Sequence, residues 1–387
     1  MKLIIHIGTH KTGTTALQQF LHANRRPLAA CGFHYATSRR GLRDANCVAN
    51  ALNVGDSRAV RAFLTKHVAL ARRCGTHTIL VSAENFYAMS VLSSMQRKQV
   101  CVNAVERDRA LTETLQSLIP EGVATCEIVC YFRRPDRYAE SLYSQHVKRG
   151  VIFDGTVDEF LPIIRPALLY HQCMGLWSDV FGRENCLARQ YESVGTDIIG
   201  DFVRNVMNIA DLTHFSRVHT QANERVGRDL LEFKRLINKT AKFNERDIER
   251  TILRLVDEKM ELRKTEPAYY QDFLSPEGRD ELLRLLQPEI EALQASHGVP
   301  PFLPFDLESA RAMWSPYPGL GEQRRREIES HYNQISRGVA VRLERVALRS
   351  ASRLRRSVPV TGVLLDVLKE LGAKRALHGL LTQGGSG

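Results

Sequence analysis

A short apolar run, Leu3-Ile4-Ile5-His6-Ile7, breaks at a glycine into Gly8-Thr9-His10-Lys11-Thr12-Gly13-Thr14-Thr15 and resumes as Ala16-Leu17-Gln18-Gln19-Phe20-Leu21, a helix-like segment. A strand, a glycine-bounded loop and a helix start in that order form a phosphate cradle. Backbone N–H groups converge at a helix N-terminus, and the helix dipole favours an anion there. The spacing approaches the G-x-x-x-x-G-K-[ST] loop of nucleotide triphosphatases. Thr14 stands where that loop needs its lysine, and the lysine sits inside the loop as Lys11. Ordinary ATP or GTP hydrolysis is therefore disfavoured.

A second junction follows later in the chain. Glu127-Ile128-Val129-Cys130-Tyr131-Phe132 reads as a buried strand, and Arg133-Arg134-Pro135-Asp136-Arg137-Tyr138-Ala139-Glu140-Ser141 follows it. An arginine at a strand end can grip a phosphate through two parallel hydrogen bonds. A lysine before Gly13-Thr14-Thr15, with Arg133 and Ser141 eight positions apart, resembles the two donor motifs of the sulfotransferases that use 3′-phosphoadenosine 5′-phosphosulfate (PAPS). Trp177 to Gly182, Ala222-Asn223-Glu224 and Leu274-Ser275-Pro276-Glu277 add a likeness to bacterial enzymes of the carbohydrate type, so the resemblance spans about residues 1–300. It implies a sulfuryl transfer from PAPS to a hydroxyl of a carbohydrate or glycolipid, with release of 3′,5′-ADP.

Strand-like runs at 3–7, 78–82, 127–132 and 186–191 alternate with helical stretches. That pattern predicts an α/β fold of three layers, α/β/α, around a central parallel sheet, with ligands beyond the carboxyl ends of the strands. Ser275-Pro276-Glu277 marks a helix start, and Gly182 a helix end. Prolines at 300, 301, 304, 316 and 318 mark a break. The expected organisation is a sulfotransferase domain at 1–300, a Pro/Gly-rich linker at 301–321 and a basic helical C-terminal extension at 322–387.

The 387 residues carry a net charge of +11, and 322–387 hold thirteen basic against six acidic residues. No stretch approaches the ~20 apolar residues that span a bilayer. The start of the chain argues against a signal peptide. Eight cysteines show neither C-x-x-C nor zinc spacing, which suits reduced thiols and a cytoplasmic protein.

The resemblance gives Lys11 the task of neutralising the bridging oxygen as the S–O bond breaks. Thr12, Gly13, Thr14 and Thr15 would hold the 5′-phosphate, and Arg133 with Ser141 the 3′-phosphate. No metal is expected. An acceptor hydroxyl needs a general base. Glu84, just past the run at 78–82, is the first candidate; capping the next helix or pairing with an arginine is the competing role, weighed evenly. His10 is the second, against a solvent-facing loop histidine. His34 is read as a surface residue, with the acceptor entrance as its alternative, and His6 as a core residue. Arg134 and Arg137 are each expected to be solvated or to pair with Asp136 or Glu140 rather than reach the nucleotide. Lys148 and Arg149 read as an exposed pair.

In the extension, Arg342, Arg345, Arg349, Arg353 and Arg356 recur every three or four residues along one helical side. They would meet anionic lipid headgroups at the inner face of a membrane, or stay a solvated face of a packed helix. Nucleic acid is not expected, for no interleaved aromatics accompany them. A small-molecule kinase is the rival enzyme; it requires a lysine directly after Gly13, which is absent. A non-catalytic nucleotide- or polyanion-binding protein is the other alternative.

Overall fold

A computed structural model describes residues 1–38, 43–95, 99–148, 153–195, 197–216, 226–240, 246–267, 270 and 272–354. Ala222-Asn223-Glu224, Arg149 and Arg356 fall outside them.

Five strands, β1 (Lys2–His6), β2 (Phe33–Ala36), β3 (Thr78–Ser82), β4 (Thr125–Phe132) and β5 (Cys186–Gln190), form one sheet in the order β2-β3-β1-β4-β5. Every neighbouring pair is parallel, with Ile5 opposite Val81 on one side and Ile128 on the other. Parallel strands are covered on both faces, so their sequences run apolar without alternation. β3 is buried throughout and β1 from Leu3 onward. On one face Leu17, Phe20, Leu21 and Leu28 pack with Ile198, Phe202 and Val203 over Ile4, Leu80, Val129 and Tyr131. The helix Ser57–Arg73 contacts β2 and β3, and the helix Tyr170–Phe181 contacts β4 and β5. The expected α/β class with a central parallel sheet is the observed one.

From β1 the chain crosses beyond β3 to reach β2, whereas from β4 it steps outward to β5. The two exits diverge between β1 and β4. This is the switch point at which open α/β sheets hold their ligands.

The chain divides into two compact units. The first comprises Met1–Arg225, Arg235–Phe243 and Pro267–Tyr317; the second comprises Val226–Lys234, Asn244–Glu266 and Pro318–Gly387. The sequence expectation had put its boundaries at 300 and 321. The proline-rich break carries a helix of its own, Leu307–Met313, capped by the Asp306 side chain on Ser309 N–H. Ser275 caps Pro276–His297, with proline at its start, and Gly182 at φ 90° ends Tyr170–Phe181. In the second unit Asp257 accepts from Gly227 N–H at 2.8 Å, and the helix Glu322–Leu354 contacts Arg246–Met260. Arg342, Arg345, Arg349 and Arg353 lie on that long helix. Among the described residues no helix is long and apolar enough to cross a membrane.

Candidate active site at the switch point

The loop after β1 is built by three residues with left-handed backbone, Gly8 (φ 27°), Lys11 (φ 71°) and Gly13 (φ 74°). Lysine rarely adopts this conformation, and such strain clusters where a loop serves a ligand. Thr12 Oγ1 donates to Thr9 O at 2.6 Å, and Thr9 Oγ1 donates to Tyr131 O at 2.8 Å. The loop is thus tied to the end of β4, and Ile7 N–H continues the bond to Val129 O. The helix Thr14–Ala23 starts at Gly13 without a side-chain cap. Its first-turn amides keep the positive end of the helix dipole open to an anion.

The hydroxyls of the three threonines differ. Thr12 is buried with its hydroxyl spent inside the loop, and Thr14 Oγ1 donates to Glu84 Oε2. Thr15 is exposed. Only Thr15 of the three retains an exposed hydroxyl, so Thr12 and Thr14 have backbone N–H groups rather than side chains to offer. The sequence shows three hydroxyls within four residues and cannot show that Glu84 takes one.

Glu84 follows β3, and Ala83 N–H bonds His6 O, which sets the β3 exit beside the β1 loop. His10 Nε2 lies 4.0 Å from Glu84 Oε1, both side chains well buried. The Glu84 carboxylate accepts from Thr14 Oγ1 and stands beside the His10 ring. His10 is buried rather than solvent-facing. The two candidate bases are therefore one cluster.

At the end of β4 the two arginines part. Arg133 keeps 18% of its side chain exposed, with Nε 3.9 Å from Glu192 Oε1 and its guanidinium 6.0 Å from the Tyr191 ring. Arg134 is buried; its Nε and Nη2 donate to both oxygens of Asp136 at 2.7 and 2.9 Å, and Nη1 donates to Leu303 O at 3.0 Å. Arg279 joins from the helix Pro276–His297, reaching Asp136 and, at 2.8 Å, Glu140. Burial alone would raise Asp136, yet the bonds and charges of Arg134 and Arg279 hold it below the usual carboxylate range. Glu140 is raised by its burial despite Arg279. The Arg134–Asp136 pair matches expectation. Glu140 takes Arg279 instead, and Arg137 is exposed.

Ser141 sits nearly buried on the helix Pro135–Lys148 that begins two residues beyond Arg133. Lys148 ends that helix, half-buried. His34 departs from its surface reading: on β2 it is half-buried, with Nε2 2.8 Å from His67 Nδ1. An edge strand of four residues, Phe33–Ala36, has too little apolar periodicity to be visible beforehand.

Glu192 was not singled out in the sequence, although it follows β5 by the same strand-end rule that exposed the other residues. Its carboxylate accepts the Arg134 N–H at 3.0 Å. A cavity of about 630 Å³ opens at this end, lined by Arg133, Arg137, Phe305, Met313 and Trp314 among others. Its aromatic wall comes from the segment read as linker.

The donor set suits an anion at each end of the switch point. Lys11, Thr15 and uncapped amides stand on the β1 side, and Arg133 with Ser141 on the β4 side. Among the described residues no cluster of three His, Cys, Asp or Glu side chains could hold a metal ion. No protein-family model matches the chain, and no curated protein matches it. Among solved structures, a sulfotransferase from Alicyclobacillus acidocaldarius is similar at a TM-score of 0.40 and 13% identity, over 80% of this chain and 99% of that one.

Proposed function

We propose that the protein is a PAPS-dependent sulfotransferase acting on a hydroxyl of a carbohydrate or glycolipid. The observation that carries this reading is the pairing of two anion sites on adjacent parallel strands: the Lys11 loop after β1 and Arg133 after β4. PAPS has one phosphate at the 3′ position and a phosphosulfate at the 5′ position of a single ribose, and so needs two such sites close together.

The acceptor oxygen attacks sulfur, the S–O bond to the 5′-phosphate breaks, and the electron pair leaves with 3′,5′-ADP. Positioning and charge neutralisation carry most of such a transfer. Lys11 and the amides of Gly13 to Thr15 neutralise the charge that builds on the leaving phosphate. The acceptor proton passes to Glu84 or to His10, whose side chains stand 4.0 Å apart at the same place. Thr14 orients Glu84 through its hydroxyl.

Titration calorimetry with 3′,5′-ADP and ADP tests the reading. The extra phosphate should tighten binding at least tenfold, about 1.4 kcal/mol, in line with a charge-assisted pair. Equal affinities would remove the β4 site from the argument. Lys11→Ala should abolish sulfation while the protein stays folded by circular dichroism; unimpaired transfer would count against the loop as the donor site.

A further inference from the structure

His6 is fully buried at the end of β1, after the apolar Leu3, Ile4 and Ile5. Its ring is fixed from three sides. Nδ1 is 2.9 Å from Ser82 Oγ, and the ring meets Tyr131 edge-on at 5.9 Å and Phe202 at 5.5 Å. Ser82 Oγ also accepts from Gln18 Nε2 at 3.3 Å, on the helix that the β1 loop starts. The remaining nitrogen, Nε2, has no hydrogen-bond partner among the described residues. It faces the loop directly: a Cβ placed on Gly8 would come within 2.8 Å of Nε2 and 2.9 Å of the Thr14 methyl.

A buried polar nitrogen without a partner carries an uncompensated loss of solvation, and a Phe or Leu would fill the same space without that cost. The ring is also confined to its neutral form, because burial lowers its pKa to about 4. His6 therefore has no role as a charge, and its neighbours leave Nε2 nothing to touch but the loop. Only a glycine at position 8 lets the two approach. The loop itself is strained at Lys11, whose φ of 71° a side chain rarely adopts. Ser82, the partner of Nδ1, lies two residues before Glu84 on β3, so one ring touches the donor loop and the strand that carries the base.

We propose that His6 is a positioning residue for the donor loop: Nε2 gains a hydrogen bond to the loop backbone when the loop closes on the nucleotide, and the Ser82 bond holds the β3 exit in register with that closure. The inference rests on the proposed function, since the nucleotide is 3′,5′-ADP or PAPS. The unpaired nitrogen raises the energy of the open loop, and closure recovers it. Part of the affinity for nucleotide is thus stored beneath the loop rather than in contact with ligand.

The test combines nitrogen-15 NMR of the histidine ring in the wild-type protein with calorimetry on His6→Phe and on His6→Phe/Ser82→Ala, which removes both partners of the Nδ1 bond. On titration with 3′,5′-ADP the Nε2 resonance of His6 should move to a hydrogen-bonded position, while Nδ1 stays put. The double variant should melt at or above the wild-type temperature and bind 3′,5′-ADP about tenfold more weakly, ~1.4 kcal/mol. A ring that served packing alone would give an unmoved Nε2 resonance and unchanged affinity in the variants, and either result overturns the inference. If wild-type protein fails to bind 3′,5′-ADP at all, the sulfotransferase reading falls and this inference falls with it. If wild type binds and the His6 resonance does not respond, only the inference falls. The NMR arm needs no substitution, so a variant that misfolds does not shield it.

Discussion

The two loops at the switch point solve the same problem with opposite materials. The β1 loop uses glycines, threonine hydroxyls and a left-handed lysine, with the His10–Glu84 contact of 4.0 Å beside them. The β4 exit is bolted by buried charge: Arg134, Asp136, Arg279 and Glu140 are each below 10% exposed and bonded to one another. The first arrangement is the freer to shift, because the Thr9 and Thr12 bonds that fasten it are neutral and Lys11 already strains its backbone. The second resists movement, because separating any member leaves a buried charge alone. One exit is suited to closing on a ligand, and the other to presenting Arg133 at a fixed place.

Removing the shared carboxylate should therefore give the largest effect. Asp136→Ala leaves Arg134 and Arg279 buried without the acceptor they share, a loss of about 3–5 kcal/mol. Urea denaturation should show the midpoint falling with little change in slope. A loss below ~1 kcal/mol would mean that the cluster does not fasten the β4 exit, and the contrast between the loops would disappear.

Acid offers a second separation of the two regions. His6 has a folded pKa of about 4 against 6.5 when unfolded. A depressed histidine contributes stability that is complete above pH 6.5 and lost as the unfolded chain takes up the proton between 6.5 and 4. The shift corresponds to about 3 kcal/mol. Asp136 is depressed from 3.8, so its contribution is lost only below pH 3.8. Asp108 works the other way: burial raises it to about 6, so falling pH between 6 and 3.8 relieves a penalty. Comparing wild type with His6→Phe cancels Asp108. The stability difference should change by about 3 kcal/mol between pH 7 and 4 and then flatten. A flat difference across that window would show that the ring is protonated without cost, as a loosely held loop histidine would be.

Much of this architecture was legible because strand-to-helix junctions write themselves locally. Leu3 to Ile7 and Glu127 to Phe132 are apolar runs ended by glycine or arginine, and a parallel sheet sends all such ends to one edge. What stayed hidden depends on partners far along the chain. Arg133 and Arg134 are neighbours of identical type, and only Leu303 and Arg279, more than a hundred residues away, decide which of them is buried. Likewise the Thr14 hydroxyl is engaged by Glu84, which only β3 brings to it. Leu303, Pro304 and Phe305 lie in the proline-marked break, and a contact made so far along the chain from Arg134 leaves no local pattern to read.

The smallest effect on stability should come from the arginine next door. Arg133 keeps 18% of its side chain exposed and its Nε lies 3.9 Å from Glu192 Oε1, and a pairing that long and partly solvated contributes about 0–1 kcal/mol. Arg133→Ala should therefore keep the urea midpoint close to wild type. It should also erase the preference for 3′,5′-ADP over ADP, because the 3′-phosphate loses its planar donor. Arg133→Lys should recover little of that preference, since an ammonium cannot offer two parallel bonds. Full preference in the alanine variant, or a midpoint shift as large as that of Asp136→Ala, would place Arg133 within the structural cluster and make the two arginines equivalent. The expected pattern separates them cleanly: one neighbour changes the fold's stability and the other changes only what the site can distinguish.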